Sequence, residues 1–334
     1  MNILGIETSC DETSAAIVKD GRKTISLTIS SQVKEHELYG GVVPEIASRR
    51  HIENINKVIL ECFKRSNSSL NDIDGVAVTF SPGLIGSLLV GVNFAKGLCF
   101  ATKKPLIAVN HLKAHIAANY LCHEDLSPPF LGLIISGGHT IIVNVLNYCD
   151  FKVIGKTLDD SVGEAYDKIG RALNLPYPAG ALIDKLAKKG DETKFKFPKP
   201  KVSGSQFNFS FSGIKTAVLN TINKEKQNNN EILVEDFAAS FQDVVSKIIC
   251  EKIFLAIKKY YAKKLVIAGG VAANSRIRKD LTNLCYMNNV KIYLPELKYC
   301  SDNAAMVASQ GFFEFENGNI EKDFSLNAVA NSLF

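Results

Sequence analysis

The sequence lacks the features of a secreted or membrane-embedded protein. Its eight cysteines include no C-x-x-C pair, and its first residues contain no basic segment followed by an apolar stretch. The longest apolar run, 130–146, spans 17 residues and is interrupted by a Ser-Gly-Gly-His sequence. Such a run is too short and too polar to cross a bilayer comfortably. We therefore expect a soluble cytoplasmic protein with no membrane partner and with reduced, mostly buried cysteines.

Several enzyme signatures are absent as well. The chain contains no G-x-x-x-x-G-K-[ST] phosphate loop, and no G-x-G-x-x-G follows the first apolar run. It also has no H-E-x-x-H sequence, which a zinc metallopeptidase of that kind needs for its general base. No Ser-His-Asp or Cys-His arrangement is evident. These absences exclude a P-loop hydrolase and argue against a hydrolase with a covalent nucleophile.

The composition is that of a globular chain of two domains or lobes. The 334 residues are 46% hydrophobic and 22% charged, close to the globular average, and one domain usually has about half this length. Lysine and arginine total 39 against 34 acidic residues, which gives a net charge of +5. This excess is too small for a protein that coats nucleic acid, so any RNA contact should be local.

The order of predicted elements repeats along the chain. Three strands joined by short turns open the sequence, and helices and strands then alternate as far as a helix at about 111–121. After a connector at 125–129, the order begins again with strands at 130–136, 139–146 and 151–156. This repetition predicts a duplicated α/β fold in which two lobes enclose a nucleotide cleft.

The element order also predicts where each lobe lies in the sequence. Lobe I should comprise 1–128 plus about 301–334, and lobe II should comprise 129–300. A segment rich in Lys, Phe, Pro, Ser and Gly, at about 185–211, is expected to be a surface excursion of lobe II. Residues 225–231 are expected to form a loop between two helices.

Three glycine-bearing turns, at 5–11, 136–140 and 269–274, each follow a predicted strand. Glycine lets backbone N–H groups approach a phosphate or acyl oxygen, and Ser or Thr adds hydroxyl donors. The third turn also precedes a helix, whose N-terminus attracts anions. One such turn is more often a plain tight turn, but three of them favour a nucleotide ligand.

Two histidines on a predicted helix, His111 and His115, are four residues apart and therefore share one face. That spacing suits a divalent transition metal, although two ordinary polar residues would show the same spacing. Lys113, between them, should point away from that face. Asp302, at a turn after a predicted strand, is the best third ligand. Two His and one carboxylate are typical of non-haem Fe²⁺, and Zn²⁺ is also compatible.

The whole chain resembles the tRNA adenosine threonylcarbamoyltransferase family, whose bacterial members were formerly described as glycoprotein endopeptidases. The resemblance depends on eight motifs that occur in the family's order. They lie at 7–13, 41–51, 110–115, 136–140, 163–168, 209–215, 269–274 and 301–305.

The resemblance implies a two-lobed fold similar to actin, Hsp70 and sugar kinases, with threonylcarbamoyl-adenylate in the cleft. It implies a metal, usually iron, held by His111, His115 and Asp302. It also implies a set of substrate-binding residues, in which the first five would contact the phosphate and acyl part and the last four the nucleotide. They are Ile134, Ile135, Ser136, Gly137, Gly138, Asp167, Gly180, Asp184 and Asn274.

The implied reaction is acyl transfer to tRNA. The exocyclic amine of the adenosine beside the anticodon, in tRNAs that read codons starting with adenine, attacks the carbamoyl carbonyl, and AMP leaves. Because an adenylate is already activated, the protein needs positioning and charge stabilisation more than a nucleophile. Asp11 and Glu12 could order the amine or act as base, although a turn cap and a solvated Glu would look the same. The implied partners are a shorter paralogue of the same fold and a small ATPase.

This sequence departs from the family pattern at a few positions. Lys113 replaces a frequent Glu, Ala179 stands where Gly often precedes Gly180, and Lys199 replaces an Arg. Ala179 adds a Cβ close to the implied nucleotide site. Lys199 keeps its charge but loses the bidentate geometry of a guanidinium.

Lysines and phenylalanines alternate in one segment, a pattern suited to single-stranded RNA, although a solvated lysine-rich loop is the simpler interpretation. The residues are Lys194, Phe195, Lys196, Phe197, Lys199 and Lys201.

Three other functions are compatible with parts of the sequence. An ATP-dependent phosphotransferase of the same fold would not need the His pair. A non-catalytic scaffold of a tRNA-modifying complex would tolerate loss of the metal ligands, all of which are present. A metallopeptidase is disfavoured by the missing Glu.

Overall fold

Ten strands form two separate sheets in a computed structural model that describes residues 1–200, 202–228 and 233–334. The strands are β1 (Asn2–Glu7), β2 (Glu12–Lys19), β3 (Lys23–Ser31), β4 (Gly75–Ser81), β5 (Leu106–Asn110), β6 (Phe130–Ile135), β7 (Thr140–Val145), β8 (Phe151–Lys156), β9 (Lys264–Ala268) and β10 (Lys291–Tyr293). The helices are α1 (Val33–Glu37), α2 (Pro44–Ser66), α3 (Ile85–Thr102), α4 (His111–Ala117), α5 (Val162–Ala172), α6 (Gly180–Ala187), α7 (Ser212–Gln227), α8 (Val234–Tyr260), α9 (Ser275–Met287) and α10 (Ala304–Glu316). Short 3₁₀ helices occur at Leu70–Asp72, Gly270–Ala273 and Leu297–Tyr299.

The described chain divides into two compact units. Unit 1 comprises Met1–Pro129, Val145–Phe151 and Pro295–Phe334, and unit 2 comprises Phe130–Asn144 and Lys152–Leu294. Each unit contains one of the sheets. The lobe bounds given above stay a prediction.

The sheet of unit 1 has the strand order β3-β2-β1-β4-β5. Its first three strands are antiparallel neighbours, and positive φ angles at Asp20 and Gly21 fit the tight turn between β2 and β3. Strands β1, β4 and β5 run parallel, so their carboxyl ends meet at one edge of the sheet. That edge carries Glu7, Ser81 and Asn110.

Helices cover both faces of this sheet because the side chains of its strands alternate. Leu4 and Ile6 of β1 belong to a buried cluster with residues of α2 and α3. Ile3, on the opposite face of the same strand, belongs to a cluster with residues of α4 and α10. Both α4 and α10 therefore lie on one face, and both begin close to the polar edge.

Among the described residues, α3 is long and apolar enough to span a membrane by length and composition. Its mean hydropathy is 1.4, and 33% of its 18 residues are buried. One such helix is weak evidence for a membrane span. Within unit 1, Leu88 and Val92 of α3 belong to the core cluster, and Lys96 donates a hydrogen bond to the carbonyl of Leu326 at 3.0 Å. The C-terminal segment thus lies against this helix.

The sheet of unit 2 has the order β10-β9-β6-β7-β8. Strands β6, β9 and β10 run parallel, and the six residues of β6 are all buried. Because β6 and β9 are parallel neighbours, the turns that follow Ile135 and Ala268 lie at the same edge. These turns are two of the three glycine turns.

Three predictions of local structure are wrong in part. The helix predicted at 111–121 ends at Ala117, after which 3₁₀-type hydrogen bonds continue the turn to Tyr120. The loop predicted at 225–231 begins late, because α7 extends to Gln227, and residues 229–232 lie outside the described part. The excursion at 185–211 is not on the surface at its C-terminal end. Its alternating Phe207, Phe209 and Phe211 point inward and are buried.

Candidate functional site

The structure brings together the three residues predicted to bind metal. Asn110 caps α4, since its Oδ1 accepts hydrogen bonds from the backbone N–H groups of Leu112 at 2.9 Å and Lys113 at 3.3 Å. The helix therefore starts at His111 and places His115 one turn later. Asp302 Oδ1 lies 3.6 Å from His111 Nε2 and 3.3 Å from His115 Nε2. All three donor atoms lie within 4.8 Å of one another.

Asp302 reaches the histidines because α10 packs closely on β1. The backbone N–H of Ala304, two residues after Asp302, donates to Ser14 Oγ at 3.0 Å. A Cβ on Gly5 of β1 would lie 2.2 Å from the carbonyl oxygen of Ala304, so only glycine allows this approach. The side chain of Asp302 is 21% exposed, whereas His115 is fully buried. The cluster is thus accessible on the Asp302 side.

The spacing of this cluster suits a divalent transition metal. Metal–ligand bonds of about 2.1 Å place neighbouring ligand atoms about 3.0–3.4 Å apart, close to the spacings observed. The buried Nε2 of His115, the atom that faces Asp302, has no hydrogen-bond partner within the described residues. Burial and the neighbouring His111 lower the pKa of His115, which keeps it in the neutral form that binds metals.

The charges around the cluster also favour a cation. Burial, together with Asp302 and Asp11, raises the pKa of Glu12 to about 10. For His111, burial lowers the pKa, but the charges of Asp302 and Glu7 outweigh it and raise the pKa to about 9. Both shifts report crowded negative charge, which a divalent cation would relieve.

Lys113 points away from the cluster, as the helical spacing predicts. Its Nζ donates to the carbonyl of Cys149 at 2.8 Å and lies 3.2 Å from Glu314 Oε1. The Lys found here in place of the family's frequent Glu is therefore paired elsewhere and is not a metal ligand.

The sequence gives no direct indication of the residue that contacts His111 from the opposite side. Glu7, at the end of β1, is fully buried, and its Oε2 accepts hydrogen bonds from His111 Nδ1 at 3.1 Å and Thr79 Oγ1 at 2.7 Å. Its Oε1 accepts from the backbone N–H of Ser9 at 2.6 Å. The sequence indicates such a residue only indirectly, because Glu7 ends a predicted apolar strand and a buried acidic side chain needs polar partners.

The turn that carries Asp11 and Glu12 is held by a second buried histidine. His51 of α2 donates from Nε2 to the carbonyl of Cys10 at 2.9 Å, so its Nδ1 accepts from Thr13 Oγ1 at 2.8 Å. Burial lowers the pKa of His51, which agrees with a neutral ring. The sequence motif at 41–51 thus contributes a support for the turn at 10–13.

In unit 2, the residues predicted to contact the acyl and phosphate groups occupy the end of β6 and the turn after it. Ile134 and Ile135 are fully buried, so only their backbones are available to a ligand. The backbone of Ser136 is fixed, because its carbonyl accepts from Gly163 N–H at 3.2 Å and its N–H donates to His139 at 2.8 Å. A Cβ on Gly137 or Gly138 would meet no atom within 4 Å. This open space suits a ligand that approaches the backbone.

Three of the four residues predicted to bind the nucleotide form side-chain hydrogen bonds with other residues of unit 2. Asp167 accepts from Ala179 N–H at 2.9 Å, and Asp184 accepts from Ser275 Oγ at 2.9 Å. Asn274 caps α9 and donates from Nδ2 to Gln242 at 2.8 Å. The Asn274 amide is therefore hydrogen-bonded on both sides.

The fourth predicted residue, Gly180, faces open space, since a Cβ there would meet no atom within 4 Å. The preceding Ala179, a departure from the family pattern, does not fill that space. Its side chain is buried against α5, where a Cβ built on Gly170 would lie 2.1 Å from the Ala179 Cβ. The added methyl group therefore leaves the approach to Gly180 open.

Asp159 fixes the motif at 209–215. It accepts hydrogen bonds from the backbone N–H of Phe211 at 2.8 Å and from Ser212 Oγ at 2.8 Å, and also from Ser210 Oγ. Burial raises the pKa of the Asp159 carboxyl, but these bonds outweigh the burial and lower it. We expect Asp159→Ala to lower the free energy of unfolding by about 1 kcal/mol at pH 7.

The contribution of Asp159 should depend on pH with a definite sign. Because its pKa is lower in the folded protein than the ordinary value of 3.8, its stabilisation is present above pH 3.8 and is lost as pH falls further. Urea unfolding at pH 7 and pH 3 should show the difference between wild type and variant shrinking at pH 3. An equal difference at both values would contradict this.

The alternating Lys and Phe segment is partly packed. The ring of Phe195 stacks on Phe237 of α8 at 4.0 Å, which covers one of the faces that RNA stacking would need. Lys199 pairs with Glu251 at 2.8 Å. Lys194 and Lys196 are exposed, and Lys201 lies outside the described residues. The contacts of Phe195 and Lys199 therefore do not call for an RNA ligand, in agreement with the simpler interpretation of this segment as a lysine-rich loop.

Comparisons with known proteins identify relatives over the full length. The profile of a family described as tRNA N6-adenosine threonylcarbamoyltransferase matches residues 23–309. A protein of that description from Caldicellulosiruptor bescii is 50% identical over 329 residues, covering 98% of this chain and 97% of the relative. Another from Clostridioides difficile is 48% identical over 328 residues, again covering 98% and 97%.

Solved structures share the fold at low identity. HypF from T. kodakarensis has a TM-score of 0.65 at 14% identity, with 97% of this chain and 49% of that chain covered. ROK hexokinase from Thermus thermophilus has a TM-score of 0.55 at 13% identity, with 95% and 100% covered. At such identities the similarity shows the fold alone. It confirms the predicted α/β fold of the actin, Hsp70 and sugar-kinase type.

Proposed function

Because the chain belongs to the tRNA N6-adenosine threonylcarbamoyltransferase family, we propose that its acyl donor is threonylcarbamoyl-adenylate. The chain is an acyltransferase that modifies an adenosine of tRNA. In the proposed step the N6 amine of the adenosine beside the anticodon attacks the carbamoyl carbon. The bond from that carbon to the phosphate oxygen breaks, AMP leaves, and the amine loses one proton. The His111–His115–Asp302 cluster is the observation that carries this proposal.

The residues of unit 2 suit an adenylate. The open backbone at Gly137, Gly138 and Gly180 would accept the phosphate and acyl oxygens without a Cβ in the way. Ser136 is rigidly held, so its backbone needs little reorganisation when a ligand binds. The carboxylates of Asp167 and Asp184 each have further lone pairs, which would accept from ribose hydroxyls.

We propose Fe²⁺ as the ion of unit 1, held by His111, His115 and Asp302, with Zn²⁺ as the alternative. The two-His, one-carboxylate set and the buried Nε2 of His115, which faces Asp302 without a hydrogen-bond partner, support a transition metal. A divalent ion bound there supplies positive charge and Lewis acidity. Asp302 and Asp11 both contribute to the raised pKa of Glu12, so Glu12 lies in their field, and a bound cation would favour its ionised form.

The proposed partners are a shorter paralogue of the same fold and a small ATPase, and the proposed location is the cytoplasm, where tRNA is modified. Family membership supports all three proposals. Purified protein should require both partner proteins for turnover, and leaving out either one should abolish it.

A phosphotransferase of the same fold would release ADP from ATP and would not need a His–His–Asp cluster. Incubation with threonine, bicarbonate, ATP, tRNA and the auxiliary proteins separates the two functions. Acyl transfer predicts N6-threonylcarbamoyladenosine beside the anticodon, detected by mass spectrometry of mapped tRNA fragments. Phosphorylation of a small hydroxyl compound with unmodified tRNA would contradict the proposal.

If Asp11 or Glu12 acts as base or orders the amine, replacing its carboxyl group with an amide should slow the reaction. We expect Asp11→Asn or Glu12→Gln to lower kcat about 100-fold, with little change in the KM for tRNA. Glu37→Gln, which changes an exposed carboxylate of the same unit, is the matched control and should keep full activity. Full activity in the double variant of Asp11 and Glu12 would remove the hypothesis.

A further inference from the structure

We propose that Glu7 is a positioning residue that sets the metal affinity of the cluster by fixing the ring of His111. This inference rests on the metal site proposed above. Glu7 is not a ligand, because it contacts the Nδ1 side of His111, whereas Nε2 faces His115 and Asp302.

The surroundings of Glu7 make it an obligatory acceptor. The backbone N–H of Ser9 and the hydroxyl of Thr79 donate to its two oxygens at 2.6 and 2.7 Å. An ionised carboxylate only accepts, so the third contact, at 3.1 Å, requires a proton on His111 Nδ1.

That proton leaves the lone pair of the neutral ring on Nε2, the atom that faces the other two ligands. Ser9 Oγ lies 3.2 Å from the same Nδ1 and could donate to it if Glu7 were absent. His111 would then carry its proton on Nε2 and could not bind a metal there. Glu7 therefore selects the tautomer that binds metal, as carboxylates do for metal-binding histidines generally.

Glu7 also has an effect that weakens metal binding. A negative charge 3.1 Å from Nδ1 also favours a second proton on the ring in the metal-free protein, and that proton competes with the metal. A divalent ion carries twice the charge of a proton, so the same carboxylate stabilises the metal-bound state more. The net effect of Glu7 is therefore tighter metal binding.

Glu7→Gln tests this with almost no change in size. The backbone N–H of Ser9 needs an acceptor, so the amide oxygen should remain there and the NH₂ group should face Thr79 and His111. The NH₂ group then donates to Nδ1 and favours the tautomer with its proton on Nε2. We expect the dissociation constant for Co²⁺ or Zn²⁺ to rise about 10- to 100-fold, measured by chelator competition at pH 7.5.

Thr79→Val is the matched control, since it removes a different hydrogen bond from the same carboxylate and leaves the contact with His111 intact. Its metal affinity should stay within about threefold of wild type, well below the loss expected for a misdirected ligand. Melting temperatures of the metal-free proteins show whether each variant folds. A folded Glu7→Gln protein with wild-type metal affinity would overturn the proposal.

A second measurement does not depend on any variant. In zinc-loaded wild-type protein labelled with ¹⁵N-histidine, NMR should show a proton on Nδ1 of His111 and the metal on Nε2. Metal on Nδ1, or an unprotonated Nδ1, contradicts the role of Glu7, and so does a wild-type protein that binds no metal. Both measurements omit tRNA and adenylate, so a failure of the proposed acyl transfer would leave their results unaffected.

Discussion

Replacing His115 with alanine should remove the bound metal and slow threonylcarbamoyl transfer to tRNA about 100- to 1,000-fold. His115 is fully buried, its pKa is lowered so that it stays neutral, and its Nε2 lies 3.3 Å from Asp302 Oδ1. Two remaining ligands would bind a divalent ion far more weakly than three. The metal per chain is measured by mass spectrometry of purified protein, and the rate by labelled threonine in tRNA.

Two further variants sharpen this test. Asp302→Asn keeps the size of the side chain but removes its charge, so the variant protein should lose its metal. Because Asp302 is 21% exposed, the change should have little effect on folding. His123→Ala changes a histidine that is not part of the cluster and should keep metal and rate. Metal content equal to wild type in both ligand variants would show that the ion binds elsewhere.

Gly180→Leu should weaken adenylate binding about 100-fold while the protein still folds. Gly180 is the first residue of α6, and a Cβ there meets no protein atom within 4 Å. A side chain would therefore occupy ligand space and leave the core unchanged, and leucine is also the better helix former. Calorimetric titration with a non-hydrolysable adenylate gives the affinity, and the melting temperature reports folding.

The adjacent position provides the control. Ala179→Gly removes a methyl group that is buried against Gly170, so it should cost stability but leave adenylate affinity close to wild type. If Gly180→Leu binds the adenylate as well as wild type does, α6 does not line the nucleotide site.

The sequence predicted the His111–His115–Asp302 cluster because the information for two of its residues is local. Histidines four apart on a helix share one face, and Asn110 gives that helix its start. Lys113 follows the same geometry and points away. The repeated element order likewise predicted two sheets, since each element could be recognised from its own periodicity.

The support of Glu7 for His111 could not be predicted in this way. Glu7, Thr79 and His111 are far apart in sequence and meet only because β1, β4 and β5 are parallel neighbours. The link from His51 to the turn at 10–13 depends on α2 packing against the sheet. The pairing of strands and the packing of helices are long-range contacts, and a local sequence pattern does not encode them.

Other differences have equally specific physical causes. Phe195 resembles a base-stacking residue in the sequence, but Phe237 of α8 covers one face of its ring. The Asn274 amide caps α9 and bonds to Gln242, a role that its motif did not indicate, while its predicted contact with the nucleotide stays a prediction. In both cases the side chain contacts a residue of α8, Phe237 or Gln242, which is distant in the sequence.

Metal-supported acyl transfer from an adenylate to tRNA can be measured in isolation when the donor is supplied preformed. The complete protein complex is mixed with threonylcarbamoyl-adenylate and tRNA, without ATP, and both AMP and modified adenosine are quantified. We expect one N6-threonylcarbamoyladenosine for each AMP with the metal-loaded protein, and loss of both products with His115→Ala. Unmodified tRNA, or undiminished transfer by His115→Ala, would contradict the claim.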